Sequence, residues 1–275
     1  VRTAAAYGAT ITITTPTFLS YMLGAAGPED LHALRVIVTG AEKCPERLFQ
    51  QARRQIPQAT IIEGYGITEC SPVVAGNRPE NVHLGTVGQP IGGVEVMVVD
   101  PESKQPLPTG VTGLLLVRGP SVFRGYLNYD GPDPFIEVDG KRWYVTGDLV
   151  ELDSEGFIYF RGRLKRFLKA AGEMISLPAL EEPFSDRFPA GENGPQVAVE
   201  GIETPEGRWI VLFATQDIPP RDANTILAEA GLRGVMRIDE VVRLDAIPVL
   251  GTGKTDYKVL RRMVEDRVQA AGKTS

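Results

Sequence analysis

Cysteine and histidine are scarce in this sequence, and their scarcity excludes several kinds of site. Only Cys44, Cys70, His32 and His83 occur in 275 residues. The cysteines stand far apart, so they form neither a paired-thiol metal motif nor a disulfide framework, and a reducing, cytoplasmic setting is expected. The two isolated histidines are interpreted as ordinary surface or core residues.

Positive charge and long apolar runs are also in short supply. The 29 lysines and arginines are outnumbered by 35 aspartates and glutamates, which gives a net charge of −6. This balance argues against nucleic acid as a partner, because nucleic-acid binders carry a basic footprint. No apolar run is long enough to span a bilayer. With 43% hydrophobic residues, the chain has enough apolar material for one large domain or two ordinary ones.

The first third of the chain alternates β-rich runs with helical patterns. Strands are predicted at residues 10–14, 35–39 and 59–63, and helices at 16–23 and 45–55. This alternation is typical of a parallel sheet covered by helices. Ligand sites in such sheets lie at the carboxyl ends of the strands, where Gly40 and the segment from Gly64 to Gly66 are found.

The pattern of predicted secondary structure changes at about Gly85. Short β-rich runs such as 94–100 and 113–118 predict an antiparallel β subdomain that continues to about residue 162. Strands at 197–201 and 209–215, with helices near 221–230 and 257–271, then predict a small α+β domain. The expected domains are therefore 1–162, divided into 1–84 and 85–162, and 163–275.

The segment Gly64-Tyr65-Gly66-Ile67-Thr68-Glu69 closes a predicted strand. Its glycines allow backbone to approach a ligand closely. Tyr65 offers a flat ring, Thr68 a hydroxyl for a phosphate oxygen, and Glu69 a carboxylate for Mg²⁺. The competing interpretation is a glycine-rich turn with a helix-capping threonine, and the segment alone does not decide between the two.

Asp148 is the one acid in the otherwise apolar segment 143–149. A carboxylate there can accept two hydrogen bonds from a ribose diol. Taken alone, the segment favours the simpler interpretation of a strand-end aspartate in a turn.

Residues 161–169 contain five cations, which suit phosphate and ribose oxygens. The alternative is a solvated charged face, the usual role of such a run.

The turn Gly251-Thr252-Gly253-Lys254 presents one lysine that could stabilise charge on a carboxylate and a phosphoryl group together. It is not a Walker loop, because the upstream glycine is missing, and an ordinary surface turn is the alternative.

In their order and context, these segments resemble the adenylate-forming superfamily, which includes acyl-CoA synthetases, luciferases and peptide-synthetase adenylation domains. The resemblance covers nearly the whole chain. It implies an α/β fold, made of the C-terminal part of the family's large domain followed by a small mobile α+β domain.

The resemblance also implies roles for individual residues. Residues implied to bind ATP or AMP are Gly40, Ala41, Glu42, Tyr65, Gly66, Thr68, Asp148, Arg163 and Lys254. Tyr65 stacks on adenine, and Asp148 and Arg163 contact the ribose. Thr68, Glu69 and Lys254 are the implied catalytic residues, with Glu69 associated with Mg²⁺. Lys165 is the implied hinge, Gly172 lies in the loop that approaches the thiol, and Gly125-Tyr126 matches a motif of mainly structural character.

Residues 162–177 and 248–256 more closely resemble bacterial acyl-acyl carrier protein synthetases, which are fused to a 2-acylglycerophosphoethanolamine acyltransferase. This implies a fatty acid as substrate, acyl carrier protein as thiol acceptor, and peripheral membrane association through the fused part. A coenzyme A synthetase or an amino-acid-activating domain shares the nucleotide motifs and is the first alternative. A non-catalytic carrier-binding fragment is the second.

One family motif, a Ser/Thr/Gly-rich phosphate-binding loop upstream of the others, does not occur in the 275 residues. The chain is therefore expected to be the C-terminal portion of a longer enzyme and to be inactive alone. Its parallel sheet is expected to lie open at an edge or face, which would favour association.

Overall fold

The computed structural model describes residues 1–27, 29–170, 172–191, 194–205, 207–251 and 253–270. Ala171 and Thr252, from two predicted motifs, and Ala271, from the predicted last helix, lie outside these ranges. The chain divides into two compact units, Val1–Arg161 and Gly162–Ser275. Among the described residues, no helix combines the length and the apolar character needed to cross a membrane.

The first unit begins with a five-stranded sheet whose order follows the sequence. Its strands are β1 (Ile11–Thr14), β2 (Val36–Thr39), β3 (Thr60–Gly66), β4 (Val73–Gly76) and β5 (Gln89–Pro90). The helices are α1 (Arg2–Ala6), α2 (Pro16–Ala25) and α3 (Glu46–Gln55). β1, β2 and β3 are parallel, as the alternating pattern predicts. β4 and β5 are antiparallel additions.

Helix α2 starts where the sequence predicts. The Thr15 hydroxyl accepts a hydrogen bond from the Phe18 amide at 3.2 Å, and Pro16 occupies the first turn, where a missing N–H costs nothing. Leu19 and Leu23 from α2 pack with Phe49 from α3 and Ile37 from β2 in one buried cluster.

Strand β3 is longer than predicted. It continues past Glu63 because Gly64 and Tyr65 pair antiparallel with Gly76 and Ala75 of β4. The register shifts between Tyr65 and Gly66, which marks a bulge at the strand end. The first sheet also runs beyond residue 84, since β5 belongs to it.

β1 forms one edge of this sheet, as expected for an open parallel sheet. Its Ile11 and Ile13 side chains are 61% and 81% exposed, so apolar surface lies at the open edge. Association through this edge stays a prediction.

The rest of the first unit is the predicted antiparallel β structure. Its strands are β6 (Glu95–Val99), β7 (Gly113–Arg118), β8 (Phe135–Val138), β9 (Lys141–Leu152) and β10 (Ile158–Arg163). The sheet order is β10-β9-β7-β6, with β8 paired to β9. Leu115, Val117, Val150 and Ile158 share a buried cluster with Tyr65 of the first sheet, so the two sheets pack together.

The second unit is a small α+β structure, as predicted. Its elements are β11 (Phe167–Ala170), β12 (Glu173–Ser176), α4 (Leu177–Arg187), β13 (Val197–Thr204), β14 (Gly207–Ala214), α5 (Pro220–Glu229), β15 (Glu240–Arg243) and α6 (Tyr257–Ala270). β13 and β14 are antiparallel, and β15 is parallel to β14.

Helices cover both faces of this three-stranded sheet. Val199 points towards α4 and α5, while the preceding Ala198 points towards α6, as strand alternation requires. The β11–β12 hairpin, α4 and β15 are elements that the sequence analysis did not predict.

Candidate functional site

Two residues that stand far apart in sequence meet in the first unit. The Tyr65 hydroxyl donates a hydrogen bond to Asp148 Oδ2 at 2.5 Å, across 83 positions of sequence. Asp148 is only 1% exposed, and Tyr65 is 9% exposed. Both belong to the predicted nucleotide-binding set.

Asp148 lies inside β9, so its interpretation as a strand-end residue in a turn is wrong. The β7–β9 register is irregular at this point, and Gly147 has a φ of 75°. Thr146 fixes the irregularity, because its hydroxyl donates to Leu115 O at 2.8 Å and accepts from the Asp148 amide at 3.0 Å. A bulge of this kind re-aims one side chain of a strand.

The environment keeps Tyr65 a hydrogen-bond donor. Burial, followed by the charge of Asp148, raises the pKa of Tyr65 well above its usual range. The phenol is therefore protonated at neutral pH. Phe160 lies beside the ring, with 5.9 Å between the ring centroids. Stacking of Tyr65 on adenine stays a prediction.

A short 3₁₀ turn, Thr68–Cys70, follows β3. Ile67 occupies its N-cap position without a side-chain cap, so the interpretation of Thr68 as a capping threonine is wrong. The turn folds back so tightly that a β-carbon on Gly66 would meet Pro72 O at 2.3 Å. Thr68 is exposed at this turn, and Glu69 is half-buried.

Glu69 is held by a segment that the sequence analysis did not connect with it. The Tyr126 hydroxyl donates to Glu69 Oε1 at 2.7 Å, and the Phe123 amide donates to Glu69 O at 2.8 Å. The resemblance gave Gly125-Tyr126 a mainly structural role. No local pattern could have found this contact, because 57 positions separate the two side chains.

Glu69 fits the Mg²⁺ association predicted for it. In the described part of the chain, no lysine or arginine forms an ion pair with its carboxylate. The described residues also contain no cluster of three or more metal-ligating side chains. Mg²⁺ typically binds proteins through one or two carboxylates and completes its shell with substrate phosphates and water. A single half-buried carboxylate therefore suits it.

The loop after β2 approaches the end of β3. A β-carbon on Gly40 would lie 3.2 Å from Gly64 O, and Ala41 has a φ of 68°, which is uncommon for a residue with a side chain. Glu42 Oε2 accepts a hydrogen bond from the Thr17 hydroxyl at 2.9 Å. The predicted adenine-contacting loop therefore lies beside the Gly64-Tyr65 segment.

The remaining predicted site residues belong to the second unit. Arg163 ends β10, Lys165 lies in the 3₁₀ turn Leu164–Arg166, and Gly172, with a φ of 83°, lies in the β11–β12 turn. The Lys254 carbonyl accepts from the Leu250 amide at 2.7 Å, which places Lys254 on a tight turn before α6. The roles of these four residues at the nucleotide stay predictions.

The cationic run of residues 161–169 is not a uniform solvated face. Arg161 forms an ion pair with Glu151 at 2.6 Å. Arg166 is largely buried, pairs with Glu181 at 3.1 Å and lies 3.6 Å from the centroid of the Tyr257 ring. These two arginines therefore hold the fold. Arg163, Lys165 and Lys169 remain, and the roles of Arg163 at the nucleotide and of Lys165 at the hinge stay predictions.

Comparison with known proteins matches this chain to one family model and to relatives named as ligases and synthetases. The AMP-binding enzyme family matches residues 1–127. The 4-coumarate–CoA ligase-like 4 of Oryza sativa subsp. japonica is 33% identical over 184 residues, which cover 66% of this chain and 33% of that protein. The matches support the adenylate-forming superfamily for this chain.

Solved structures show a similar fold. ATP-bound MatB from Rhodopseudomonas palustris is 25% identical with a TM-score of 0.80, covering 96% of this chain and 52% of that one. O-succinylbenzoate coenzyme A synthetase (MenE) from Bacillus subtilis, in complex with ATP and magnesium, is 23% identical with a TM-score of 0.77, covering 96% and 53%. The chain thus has the α/β fold of adenylate-forming enzymes over most of its length. It spans about a third to a half of the length of these relatives.

Proposed function

We propose that this chain, with the fold of the adenylate-forming enzymes, carries the nucleotide-binding part of an AMP-forming acid–thiol ligase. In the first step, a carboxylate attacks the α-phosphorus of ATP, giving an acyl-adenylate and pyrophosphate. In the second, a thiol attacks the acyl carbonyl and AMP leaves. The Tyr65–Asp148 hydrogen bond is the observation that carries the proposal, because it joins two residues assigned to one nucleotide.

In this proposal, the first unit binds the nucleoside. The Asp148 carboxylate accepts hydrogen bonds from the ribose hydroxyls, and the Tyr65 phenol orients that carboxylate while its ring faces adenine. The loop of Gly40, Ala41 and Glu42 lies beside Gly64, where it borders the adenine.

In this proposal, the turn after β3 binds the phosphates of ATP. The exposed Thr68 hydroxyl donates to a phosphate oxygen, and Glu69 holds Mg²⁺, with Gly66 allowing the tight turn between them and the strand. When bound, Mg²⁺ neutralises charge on the phosphate oxygens.

In the second unit, Lys254 stabilises the negative charge shared by the attacking carboxylate and the α-phosphate. Its position on a tight turn limits the reorganisation needed when charge develops. Arg163 contacts the ribose. Lys165 is the hinge residue, whose backbone changes conformation between the two half-reactions. The Gly172 turn approaches the thiol. Such a conformational change lets different catalytic groups contact the same acyl carbonyl in the two steps.

We propose a fatty acid as substrate and a phosphopantetheine thiol as acceptor. The resemblance of residues 162–177 favours acyl carrier protein. Coenzyme A is the second candidate, because the rice relative is named a CoA ligase and the Bacillus subtilis neighbour a coenzyme A synthetase. Offering both thiols to the complete protein, with one pre-formed acyl-adenylate, distinguishes them by the thioester formed.

ATP–pyrophosphate exchange in the complete protein tests the proposal. Lys254→Ala should lower exchange by about 100-fold or more, while thioester formation from supplied acyl-adenylate is largely retained. Lys258→Ala is the matched control, since it removes the same charge from an exposed position on α6. Equal loss in both half-reactions would contradict the role of Lys254. A wild-type protein without exchange would favour the non-catalytic carrier-binding alternative.

A further inference from the structure

We propose that Tyr126 is a positioning residue that holds Glu69 by a neutral hydrogen bond, so that the carboxylate binds the divalent cation of a metal–nucleotide complex. The inference rests on the proposed function, which assigns Glu69 to Mg²⁺. Its observation is the hydrogen bond of 2.7 Å from the Tyr126 hydroxyl to Glu69 Oε1.

The neutrality of the donor matters. A lysine or arginine beside Glu69 would fix the carboxylate and also cancel the charge that attracts a cation. The phenol fixes one oxygen and adds no charge, so Oε2 is left for a hydrated cation.

Tyr126 is itself held in place by aromatic neighbours. Its ring centroid lies 4.8 Å from that of Phe123 and 5.1 Å from that of Tyr129. Phe123 packs edge-to-face on the buried Tyr144 of β9, with centroids 5.3 Å apart. The rigid β structure therefore fixes the donor, as effective support of a metal ligand requires.

The same segment grips Glu69 at a second point, because the Phe123 amide donates to Glu69 O. Phe123 and Tyr126 thus hold both the main chain and the side chain of Glu69. Gly125 has a φ of 142°, which a residue with a side chain rarely adopts and which brings the Tyr126 hydroxyl back to Glu69.

A purely packing role predicts a different outcome. Tyr126 is 45% exposed, so much of its ring contributes little to the core. If only the ring mattered, phenylalanine would replace it without effect. If the hydroxyl positions Glu69, Tyr126→Phe should weaken cation binding while folding is unchanged.

The experiment measures Mn²⁺ binding to the complete protein with α,β-methylene-ATP, by the electron paramagnetic resonance signal of free Mn²⁺. Tyr126→Phe should weaken Mn²⁺ binding by about 10-fold, as loss of a hydrogen bond to a metal ligand commonly does. AMP binding in EDTA should not change. Tyr129→Phe is the matched control, because Tyr129 contacts the Tyr126 ring and not Glu69.

A double variant completes the test. In a Glu69→Gln background, Tyr126→Phe should alter Mn²⁺ binding by less than about 2-fold, because the two changes remove one interaction. A Tyr126→Phe protein that binds Mn²⁺ like wild type overturns the inference, and so does equal weakening in both backgrounds. If Glu69→Gln itself leaves Mn²⁺ binding intact, the Glu69 assignment fails too, and the Lys254 exchange result then decides the rest of the proposed function.

Discussion

Two carboxylates, Asp148 in the first unit and Glu181 in the second, have different principal donors. In the first unit, a tyrosine hydroxyl binds Asp148, whereas in the second an arginine binds Glu181. A phenol orients a carboxylate without adding charge, while a guanidinium orients and neutralises it. We expect that a carboxylate held by a hydroxyl without an arginine serves a ligand, and that an arginine-held carboxylate serves the fold.

The cluster in the second unit shows how completely a structural carboxylate is satisfied. Glu181 accepts hydrogen bonds from Arg166, from the Val199 amide at 2.8 Å and from the Tyr257 hydroxyl at 2.6 Å. Burial alone would lower the pKa of Arg166, but the charges of Glu181 and its neighbours raise it instead. The cluster joins α4, β13 and α6 to the residue that follows the predicted hinge.

The largest expected effect comes from breaking this cluster. Glu181→Ala leaves Arg166 buried without its main partner, so the free energy of unfolding should fall by about 3–5 kcal/mol. Urea-induced unfolding measures the loss. Glu229→Ala is the control, because its ion pair with Arg187 is exposed, and it should change stability by less than about 0.5 kcal/mol. A loss below about 1 kcal/mol for Glu181→Ala would remove the distinction between the two kinds of carboxylate.

Thiol labelling reports on the first unit alone, because both cysteines lie in that unit. Burial raises the pKa of Cys44 to about 12 and that of Cys70 to about 11. At pH 8.5 the raised pKa leaves little thiolate, so iodoacetamide should react at least about 100-fold more slowly with native protein than with urea-unfolded protein. Mass spectrometry counts the labelled thiols. Equal rates in both states would show that the first unit opens readily.

Asp148→Asn tests the carboxylate assigned to a ligand. The amide oxygen can still accept from Tyr65, so stability should change by less than about 1 kcal/mol. AMP binding should weaken by about 10- to 100-fold, because hydrogen bonds to a charged acceptor are lost. Calorimetric titration with AMP measures this, with Asp133→Asn as an exposed control. Unchanged AMP binding with a large stability loss would place Asp148 beside Glu181 as a structural residue.

Local signals explain which elements the sequence predicts. The Thr15 cap and Pro16 mark the start of α2, and the repeated apolar runs mark β1 to β3. Helix α4 escapes such reasoning because Pro183 lies inside it, where a proline normally predicts the end of a helix. Strand β15 contains only two apolar residues and depends on its partner β14, so no local signal defines it.

The site is predictable residue by residue but not as an arrangement. Tyr65 and Asp148 each suit a nucleotide by their chemistry, and the resemblance groups them, yet their hydrogen bond spans 83 positions. The contact of Tyr126 with Glu69 depends on how the loop after β7 folds back onto the end of β3. Contacts of this kind follow from tertiary packing, which the spacing of residues within a segment does not encode.

The smallest expected effect concerns an exposed ion pair of the second unit. It tests whether burial or the arginine partner makes a carboxylate important for stability. Arg208 and Asp239 have side chains that are 9% and 7% exposed, while Arg243 and Asp217 are 62% and 80% exposed. Arg243→Ala should change the free energy of unfolding by less than about 0.5 kcal/mol, because water and salt screen an exposed pair. Urea-induced unfolding at low and high salt measures it, with Asp217→Ala as the reciprocal variant. A loss above about 1 kcal/mol that persists in high salt would mean that an arginine partner makes a carboxylate important for stability even without burial. The contrast with the tyrosine-held carboxylates would then depend on the donor and not on burial.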